Sequence, residues 1–392
     1  MKKRTKAHNL SSLSILYVLG FFITISSALP AYIQSNFLTE FANLNTLSWF
    51  FVIANSLTVL AMLIFPGMVK RLSNFFLTKL MIAFYGLSLL SFAVTAGPLQ
   101  ALLSIILFTI ASNLLWINMD ILIETFSDNA STGKIRTIYF TFINLGWISS
   151  PYLAGQLMGK LDNYPLVYLI AALITIPVLL VFFSQTKRFR DRVPYRQINI
   201  KTALKEIWKN KDLRGISVVA FLLQLFYSTA VVYLPIYLHQ NLGISWAELG
   251  LLFSIMLSPF LIFQIPAGII ADKYLGEKEM LSLGLVILII SSFLFFSTST
   301  VSFWTWAGIL FLSRVGAALI EAMRETYFFR IVDAEDIGYI SVFRTAVPLG
   351  YLIGPILAIL TLAFLPVNYI FLMTALVLLS GFYFIYIITD SK

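Results

Sequence analysis

The sequence predicts an all-α polytopic membrane protein whose twelve transmembrane helices form two pseudo-symmetric six-helix bundles. Three observations support this prediction: a very apolar composition, a regular succession of long apolar stretches, and an internal repeat. Of the 392 residues, 59% are hydrophobic and 11% are charged, whereas soluble domains carry roughly 25% charged residues. A soluble core could not bury so much apolar surface, because most residues of such a domain lie near its boundary.

Twelve apolar stretches are long enough to be spans, since a helix crosses the hydrocarbon core in roughly 20 residues. The first six lie at 12–36, 46–69, 75–96, 99–124, 135–158 and 164–185. The second six lie at 213–240, 247–271, 280–298, 302–328, 337–363 and 367–388. The connections between them are short, except for a polar central segment.

The basic N-terminus, with Lys2, Lys3 and Arg4, precedes an apolar stretch in the manner of a secretory signal peptide. That stretch runs from Leu13 to Ile33, longer than the roughly 7–15 residues of a signal peptide's apolar region. We therefore interpret it as a retained first span.

The lysines and arginines predict the orientation of the spans, because cytoplasmic loops are enriched in both. With twelve spans and a cytoplasmic N-terminus, 23 of the 27 basic residues fall on the cytoplasmic side. Only Lys160 falls outside, and Arg314, Arg324 and Arg344 fall within spans. We therefore expect a multi-pass protein of the plasma (inner) membrane with both termini in the cytoplasm.

The central segment divides the chain into an N-terminal bundle at 1–185, a basic linker at 186–212 and a C-terminal bundle at 213–392. Within the linker, apolar and lysine side chains alternate at helical spacing from Ile200 to Lys211. That pattern suits a basic amphipathic helix on the membrane surface, although a solvated basic linker explains it equally well.

The two halves repeat one another in sequence. Four matches occur in the same order at offsets of 197–205 residues: Leu29-Pro30-x-Tyr32 with Leu234-Pro235-x-Tyr237, Ser48-Trp49 with Ser245-Trp246, Asp120-x-x-x-Glu124-Thr125 with Glu321-x-x-x-Glu325-Thr326, and Gly146-x-x-x-Ser150-Pro151 with Gly350-x-x-x-Gly354-Pro355. Apolar composition alone would not align proline, tryptophan and acidic residues. Two parallel repeats of this kind pack around an axis along the membrane normal, with a cavity between them near the midplane.

Several functional classes find no support in the sequence. The chain has no cysteine, and its two histidines, His8 and His239, are far apart, so we expect no metal site and no thiol chemistry. There is no phosphate-binding Gly-x-x-x-x-Gly-Lys-Ser/Thr motif and no convergent catalytic set. We therefore expect neither an enzyme nor a cofactor.

The loop after span 8 resembles a motif of the major facilitator superfamily. The family pattern is Gly-x-x-x-Asp-Arg/Lys-x-Gly-Arg/Lys-Arg/Lys, and this chain has Gly268, Asp272, Lys273, Gly276 and Lys278 with one extra residue before Gly276. The corresponding first-half loop lacks the aspartate. Together with the six-plus-six arrangement, this resemblance covers the whole chain and implies a transporter.

Span 5 resembles a motif of proton antiporters within that superfamily. The motif is Gly-x-x-x-Gly-Pro-x-x-Gly-Gly, and here Gly146 and Pro151 are kept while Ser150 and Ala154 replace two glycines, followed by Gly155. Small residues let helices approach closely and proline bends them. Because span 11 carries a similar pattern, a structural bend used twice is an alternative interpretation.

Ionisable residues within spans are candidates for function, because a charge in the bilayer costs several kcal/mol. Arg314 lies roughly 18 Å from the start of span 10 at about 1.5 Å per residue, which places it near the midplane. Asn113 is its repeat equivalent in span 4. We interpret both as substrate or coupling residues, and a fixed cation would suit a carboxylate or phosphate. A buried structural arginine is the alternative, and Tyr227 could line the same cavity.

Acidic residues lie on the same helices, nearer their cytoplasmic ends. Glu321 and Glu325 share a face, as do Asp120 and Glu124. Paired buried acids suit proton carriers, whereas salt bridges with basic residues would suit a cytoplasmic gate. We favour the gate for Glu124 and Glu325 and leave both roles open for Asp120 and Glu321. The remaining predicted gate residues are Asp272, Lys273, Arg324 and Arg344.

We thus expect a secondary transporter that works by alternating access, coupled to protons through Asp120 or Glu321 with Arg314. Its partners would be a small-molecule substrate, protons and the lipid bilayer, with no nucleic acid, and the chain would be a monomer. Export of amphipathic or drug-like compounds is the first expectation. Uptake of an organic anion or sugar, or a non-transporting receptor or scaffold of the same fold, are the alternatives.

Overall fold

The chain folds into a bundle of long helices. The computed structural model describes residues 2–126, 132–159, 162–185, 200–332 and 337–389, and these residues form no strand. Eleven helical segments within those ranges are long and apolar enough to cross a membrane. Helix α6, with 27 residues, supplies the twelfth predicted span, since roughly 20 residues suffice. The predicted all-α fold is therefore confirmed.

The N-terminal half consists of seven helices. They are α1 (Lys2–Ala31), α2 (Gln34–Thr39), α3 (Leu44–Leu72), α4 (Asn74–Ala93), α5 (Pro98–Phe126), α6 (Thr132–Met158) and α7 (Tyr164–Ser184). The linker contributes α8 (Ile200–Lys209). The C-terminal half consists of α9 (Lys211–Val232), α10 (Leu234–Ile236), a π-helical turn (Tyr237–Asn241), α11 (Trp246–Lys273), α12 (Glu277–Ser297), α13 (Phe303–Ile331), α14 (Ile337–Arg344), α15 (Ala346–Leu362), α16 (Tyr369–Leu378) and α17 (Gly381–Ile387).

The bundle has two ends, which we name by what they carry. The linker face carries α8 and the start of α1. The distal face carries the α1–α3, α4–α5, α6–α7, α9–α11 and α12–α13 connections. Two helix pairs join the halves: α3 packs on α15, and α6 packs on α11. The sequence repeat relates α3 to α11 and α6 to α15, so it exchanges one pair with the other, as a pseudo-two-fold axis requires.

Proline interrupts the equivalent first spans of both halves. Helix α1 ends one residue after Pro30, and the span that α9 begins breaks at Tyr233 before Pro235. Proline lacks the backbone N–H of the helical ladder and clashes with the preceding turn, so a bend at both positions has a local cause. The sequence predicted this symmetry.

Polar caps fix where the interface helices begin on the distal face. The Asn43 side chain accepts a hydrogen bond from the Thr46 backbone N–H at the start of α3, at 2.8 Å. At the equivalent start of α11, Ser245 and Glu248 form a reciprocal capping box. Such caps satisfy backbone donors that the first helical turn leaves without partners, so the repeat extends to the helix starts.

The described part of the linker segment contains one helix, α8, with a buried apolar side and an exposed basic side. On α8, Ala203 and Ile207 are buried while Lys201 and Lys205 are exposed, and the helix packs against α9 and α14. Residues 186–199 lie outside the described ranges. The predicted bundle limits at 185 and 213 and the contact of α8 with lipid stay predictions.

Candidate functional site

Arg314 lies in the middle of α13 and is almost completely buried, with 2% of its surface exposed. Its guanidinium carbon lies 5.6 Å from the ring centroid of Phe226 and 5.2 Å from that of Tyr227, both on α9. Tyr351 on α15 is close enough to interact electrostatically with Arg314. Aromatic faces attract a cation, and this arrangement offsets part of the cost of burying the guanidinium.

The Arg314 guanidinium lacks the partners that a buried charge usually has. Its Nη1 atom is buried without a hydrogen-bond acceptor, and no ion pair joins Arg314 to a described carboxylate within 4.0 Å. Most buried polar groups are hydrogen-bonded, and each exception needs an explanation. A buried guanidinium with an unused donor can receive an anionic or carbonyl oxygen of a bound molecule.

Tyr227 connects the arginine to an acid. Its hydroxyl donates a hydrogen bond of 2.8 Å to Oε2 of Glu321, one face of its ring contacts Arg314, and Glu321 lies two turns further along α13. Arg314 and Glu321 both contact Tyr227, as expected if they lie on the same face of α13. The Glu321 side chain is 34% exposed, and its ionic contact with Arg324 is long, at 4.0 Å. Of the acids on α13, it is the less tightly paired.

Glu325 is held much more firmly. Arg344 on α14 donates to both of its carboxylate oxygens, at 2.6 and 3.0 Å, and Arg324 lies 3.6 Å from one of them. A bidentate arginine–carboxylate pair is a strong and directional contact. Because all three side chains belong to the C-terminal half, this pair ties α13 to α14 and does not itself bridge the halves.

Two predicted site residues belong to the N-terminal half. Asp120 on α5 acts electrostatically on Arg344 across the interface. Asn113 is partly buried, and its side chain donates to the Thr109 carbonyl of its own helix at 2.9 Å. The structure thus brings Asp120 towards the cluster formed by Tyr227, Arg314, Glu321, Arg324, Glu325 and Arg344, which we call the α13 cluster. The described contacts of Asn113 do not connect it to that cluster.

The side chains of Glu124, Asp272 and Lys273 lie outside the part of the chain that the structure describes. Their predicted roles in a gate stay predictions.

Phe226 and Tyr351 were not among the predicted site residues. The chain has 35 phenylalanines and 18 tyrosines, so an aromatic residue in an apolar span carries little signal. Phe226 is adjacent to Tyr227 in the sequence, but only the packing of α9 against α13 places these two rings on Arg314.

The small residues of the α6 motif act as contact points between helices. A Cβ atom on Gly146 would lie 2.8 Å from the Thr24 methyl group of α1, and one on Gly155 would lie 2.5 Å from the Trp246 carbonyl of α11. A Cβ atom on Gly350 of α15 would likewise lie 2.5 Å from Gln224 of α9. Close helix packing therefore accounts for this pattern in both halves.

Comparison with known proteins agrees with this architecture. The model of the Major Facilitator Superfamily matches residues 10–258 and 216–392. No curated protein matches the sequence. Two similar solved structures are those of a bacterial homologue of the human lysosomal transporter Spinster, in inward-facing conformations. The occupied form has a TM-score of 0.73 at 13% identity, covering 95% of each chain.

The unoccupied form of that homologue has a TM-score of 0.70 at 14% identity, covering 97% of this chain and 96% of the other. At such low identity the likeness concerns the fold, whereas the family match extends over nearly the whole sequence. The chain therefore belongs to the major facilitator superfamily, a family of multi-pass membrane transporters.

Proposed function

We propose that the chain is a proton-coupled secondary transporter that exports amphipathic compounds by alternating access. One observation carries this proposal: the buried guanidinium of Arg314 has an unused donor and lies among aromatic rings, beside a tyrosine–glutamate pair. A polar anchor within an apolar, aromatic wall suits a molecule that has one polar end and one apolar end. The same arrangement would be costly in a protein that bound nothing there.

Glu321 is the proton carrier in this proposal. Its carboxylate is partly exposed and weakly paired with Arg324, so it can exchange a proton without breaking a tight ion pair. Its hydrogen bond from Tyr227 connects its protonation to the ring that faces Arg314. Substrate binding and proton release would then be coupled through one side chain.

The gate in this proposal lies towards the linker face. Arg344 is hydrogen-bonded to Glu325 and interacts electrostatically with Asp120 of the other half. Rocking of the halves would change the distance from Asp120 to Arg344, while Glu325 keeps the arginine in place. The distal contacts would have to separate in the opposite phase of the cycle.

The proposed location is the plasma membrane, and the basic residues support an orientation with the linker face in the cytoplasm. The described helix α8 and the start of α9 carry exposed lysines on that face, including Lys205, Lys209 and Lys211. Positive charge favours the cytoplasmic side of a membrane protein. The chain would act as a monomer, since each half supplies the partner surface of the other.

Uptake of an organic anion is the second candidate, and Arg314 itself favours it. A buried cation binds a carboxylate or phosphate more readily than it binds a neutral or cationic drug. The two candidates differ in the direction of flux and in the preferred charge of the substrate.

Proton movement in proteoliposomes tests the proposal. The experiment uses an entrapped pH-sensitive dye and a panel of amphipathic cations, amphipathic anions, short organic acids and sugars. Arg314→Ala, Glu321→Gln and Asp120→Asn are compared with Glu279→Gln, because Glu279 is an exposed carboxylate at the start of α12 outside the α13 cluster. We expect a substrate-dependent pH change in the wild type and Glu279→Gln that is lost in Glu321→Gln.

Three other outcomes would each contradict a different part of the proposal. Substrate flux without a pH change would contradict proton coupling. Flux of short organic acids from the side of the distal face to the side of the linker face, with no flux of amphipathic compounds, would favour the second candidate. Binding that is unchanged in Arg314→Ala would remove Arg314 from the site and support a receptor or scaffold.

A further inference from the structure

His239 occupies the π-helical turn that follows the break in the seventh span, on the distal face. Its Nδ1 atom lies 2.9 Å from the carbonyl oxygen of Ile244. A carbonyl oxygen only accepts, so Nδ1 must carry a hydrogen for this bond to form. The neutral ring is therefore held in the tautomer whose Nε2 atom has a bare lone pair.

That Nε2 atom faces a carboxylate of the other half of the protein. It lies 3.7 Å from Oδ2 of Asp162, in the connection between α6 and α7. Two acceptors at this distance repel each other when the imidazole is neutral, whereas an imidazolium would donate to Asp162 and Ile244 at the same time. The geometry thus makes the contact favourable only when His239 carries a second proton.

The surroundings of the ring favour the same protonation state. The imidazole lies on the indole of Trp246, with ring centroids 4.4 Å apart and planes inclined by 36°, and an aromatic face attracts a cation. Glu40, at the end of α2, interacts with Asp162, and Tyr164 follows Asp162 at the start of α7. Glu248 lies in the first turn of α11. The described charged groups around the pair are therefore acidic, and Lys160 lies outside the described residues.

The His239–Asp162 contact lies on the surface that must separate when the distal face opens. The neighbouring Gln240 donates 2.8 Å to the Thr39 hydroxyl of the other half, and Ser48 shares a hydrogen bond of 2.6 Å with Tyr233. These two bonds are between neutral groups and do not depend on pH in the physiological range. The His239–Asp162 contact is the one among the three that a proton can switch.

We propose that His239 and Asp162 form a proton-sensitive latch on the distal face. Protonated His239 holds the two halves together there, and loss of its proton releases them. Protons on the distal side therefore stabilise the state that is closed to that side. This device is separate from proton carriage by Glu321, because it controls which state is populated and needs no substrate.

The sign and size of the effect follow from the geometry. The stabilisation is present at low pH, where His239 is protonated, and is lost at high pH, where the imidazole is neutral. The side chains of His239 and Asp162 are 21% and 48% exposed, so solvent screens the contact and the effect is modest. We expect about a threefold change in the ratio of closed to open distal states.

The absence of native cysteine makes a direct measurement possible. Ala96→Cys in the α4–α5 connection and Val301→Cys in the α12–α13 connection place nitroxide labels at exposed distal positions of the two halves. Electron–electron distance distributions are recorded on the full chain in lipid nanodiscs from pH 5 to pH 8, without substrate. The ratio of closed to open populations should fall about threefold as the pH rises.

Variants separate the latch from other titrations. His239→Gln should remove the pH response and fix the population near its high-pH value. Asp162→Asn should reduce the response strongly, and asparagine tolerates the positive φ of 47° at this position. Burial and repulsion from Asp162 raise the pKa of Glu40, so Glu40→Gln is the matched control and should keep the pH response.

Two results would overturn the proposal. A wild-type closed population that does not change between pH 5 and pH 8 would show that the contact does not bias the halves. A full response that persists in His239→Gln would assign the titration to another group. Both measurements are made without substrate, so they test the latch independently of the proposed transport function.

Discussion

The helices α5 and α13 occupy equivalent places in the two halves but differ sharply in polar content. In α13, Arg314 is buried among aromatic rings and Glu321 accepts a hydrogen bond from Tyr227. In α5, the equivalent of Arg314 is Asn113, which bonds to its own backbone. The repeat equivalents of Phe226 and Tyr227 are Phe21 and Phe22, so the position of Tyr227 carries no hydroxyl in the N-terminal half.

The features that the halves share are those of packing. Pro30 and Pro235 break equivalent spans, and Gly146 and Gly350 bring equivalent helices together. The repeat thus preserves bends and close contacts, which alternating access needs in both halves. Among the described side chains, the α13 cluster belongs to the C-terminal half, and we propose that the chemistry of transport is asymmetric while the mechanics are symmetric.

The largest expected effect contrasts Arg314→Leu with Asn113→Leu. Loss of the guanidinium should lower substrate flux by about 100-fold, in line with losses of about 2–5 kcal/mol when one member of a buried charged contact is removed. Asn113→Leu should change flux less than about threefold, because its side chain bonds within α5 and a net hydrogen bond contributes about 0.5–1.5 kcal/mol. Initial rates in proteoliposomes measure both.

Thermal unfolding in detergent serves as the control for this pair. Arg314→Leu should raise the unfolding midpoint, because it removes the desolvation cost of a charge that lacks an ion pair. Loss of flux together with a lower midpoint would instead make Arg314 a structural residue.

The second effect concerns the pair that joins α13 to α14. Arg344→Ala should lower the free energy of unfolding by about 2–3 kcal/mol, somewhat less than for a fully buried pair, since it removes the bidentate contact while Glu325 keeps its 3.6 Å contact with Arg324. The double variant Arg344→Glu with Glu325→Arg should recover part of that loss. Unfolding by denaturant measures the difference, and an unchanged stability in Arg344→Ala would show that the ion pair contributes little.

The smallest effect concerns the mechanics of the interface. A methyl group on Gly155 would clash with the Trp246 backbone, whereas a methyl group on Gly67 would meet nothing within 4 Å. Gly155→Ala should force α6 and α11 apart and shift the distal distance distribution towards the open state by several-fold, while Gly67→Ala should leave it unchanged. Equal distributions in the two variants would mean that the glycine contact does not set the distal closure.

Hydropathy and the repeat were sufficient to predict the fold, because lipid imposes one dominant pattern on every span. The breaks within the last two spans, at Thr345 and near Leu379, were not predicted. Pro348 cannot donate to the Arg344 carbonyl four residues before it, and Ser380-Gly381 follows Leu379, so both breaks have local causes that the hydropathy pattern does not register.

The candidate site was predictable along each helix but not between helices. Helical spacing placed Arg314 near the middle of its span and on the same face as Glu321. The bond from Tyr227 to Glu321 and the bidentate pair between Arg344 and Glu325 each join two different helices. Such contacts depend on how helices rotate against each other, which hydropathy does not specify when most faces of a span are apolar.

Exchange of the two repeat-equivalent residues tests the central claim most directly, that the chemistry belongs to one half. The double variant Asn113→Arg with Arg314→Asn keeps the composition and moves the cation to α5. Substrate flux in proteoliposomes should stay at the background level, because the aromatic rings and Glu321 remain around position 314. Flux restored to the wild-type rate would contradict the account, since either half could then carry the arginine.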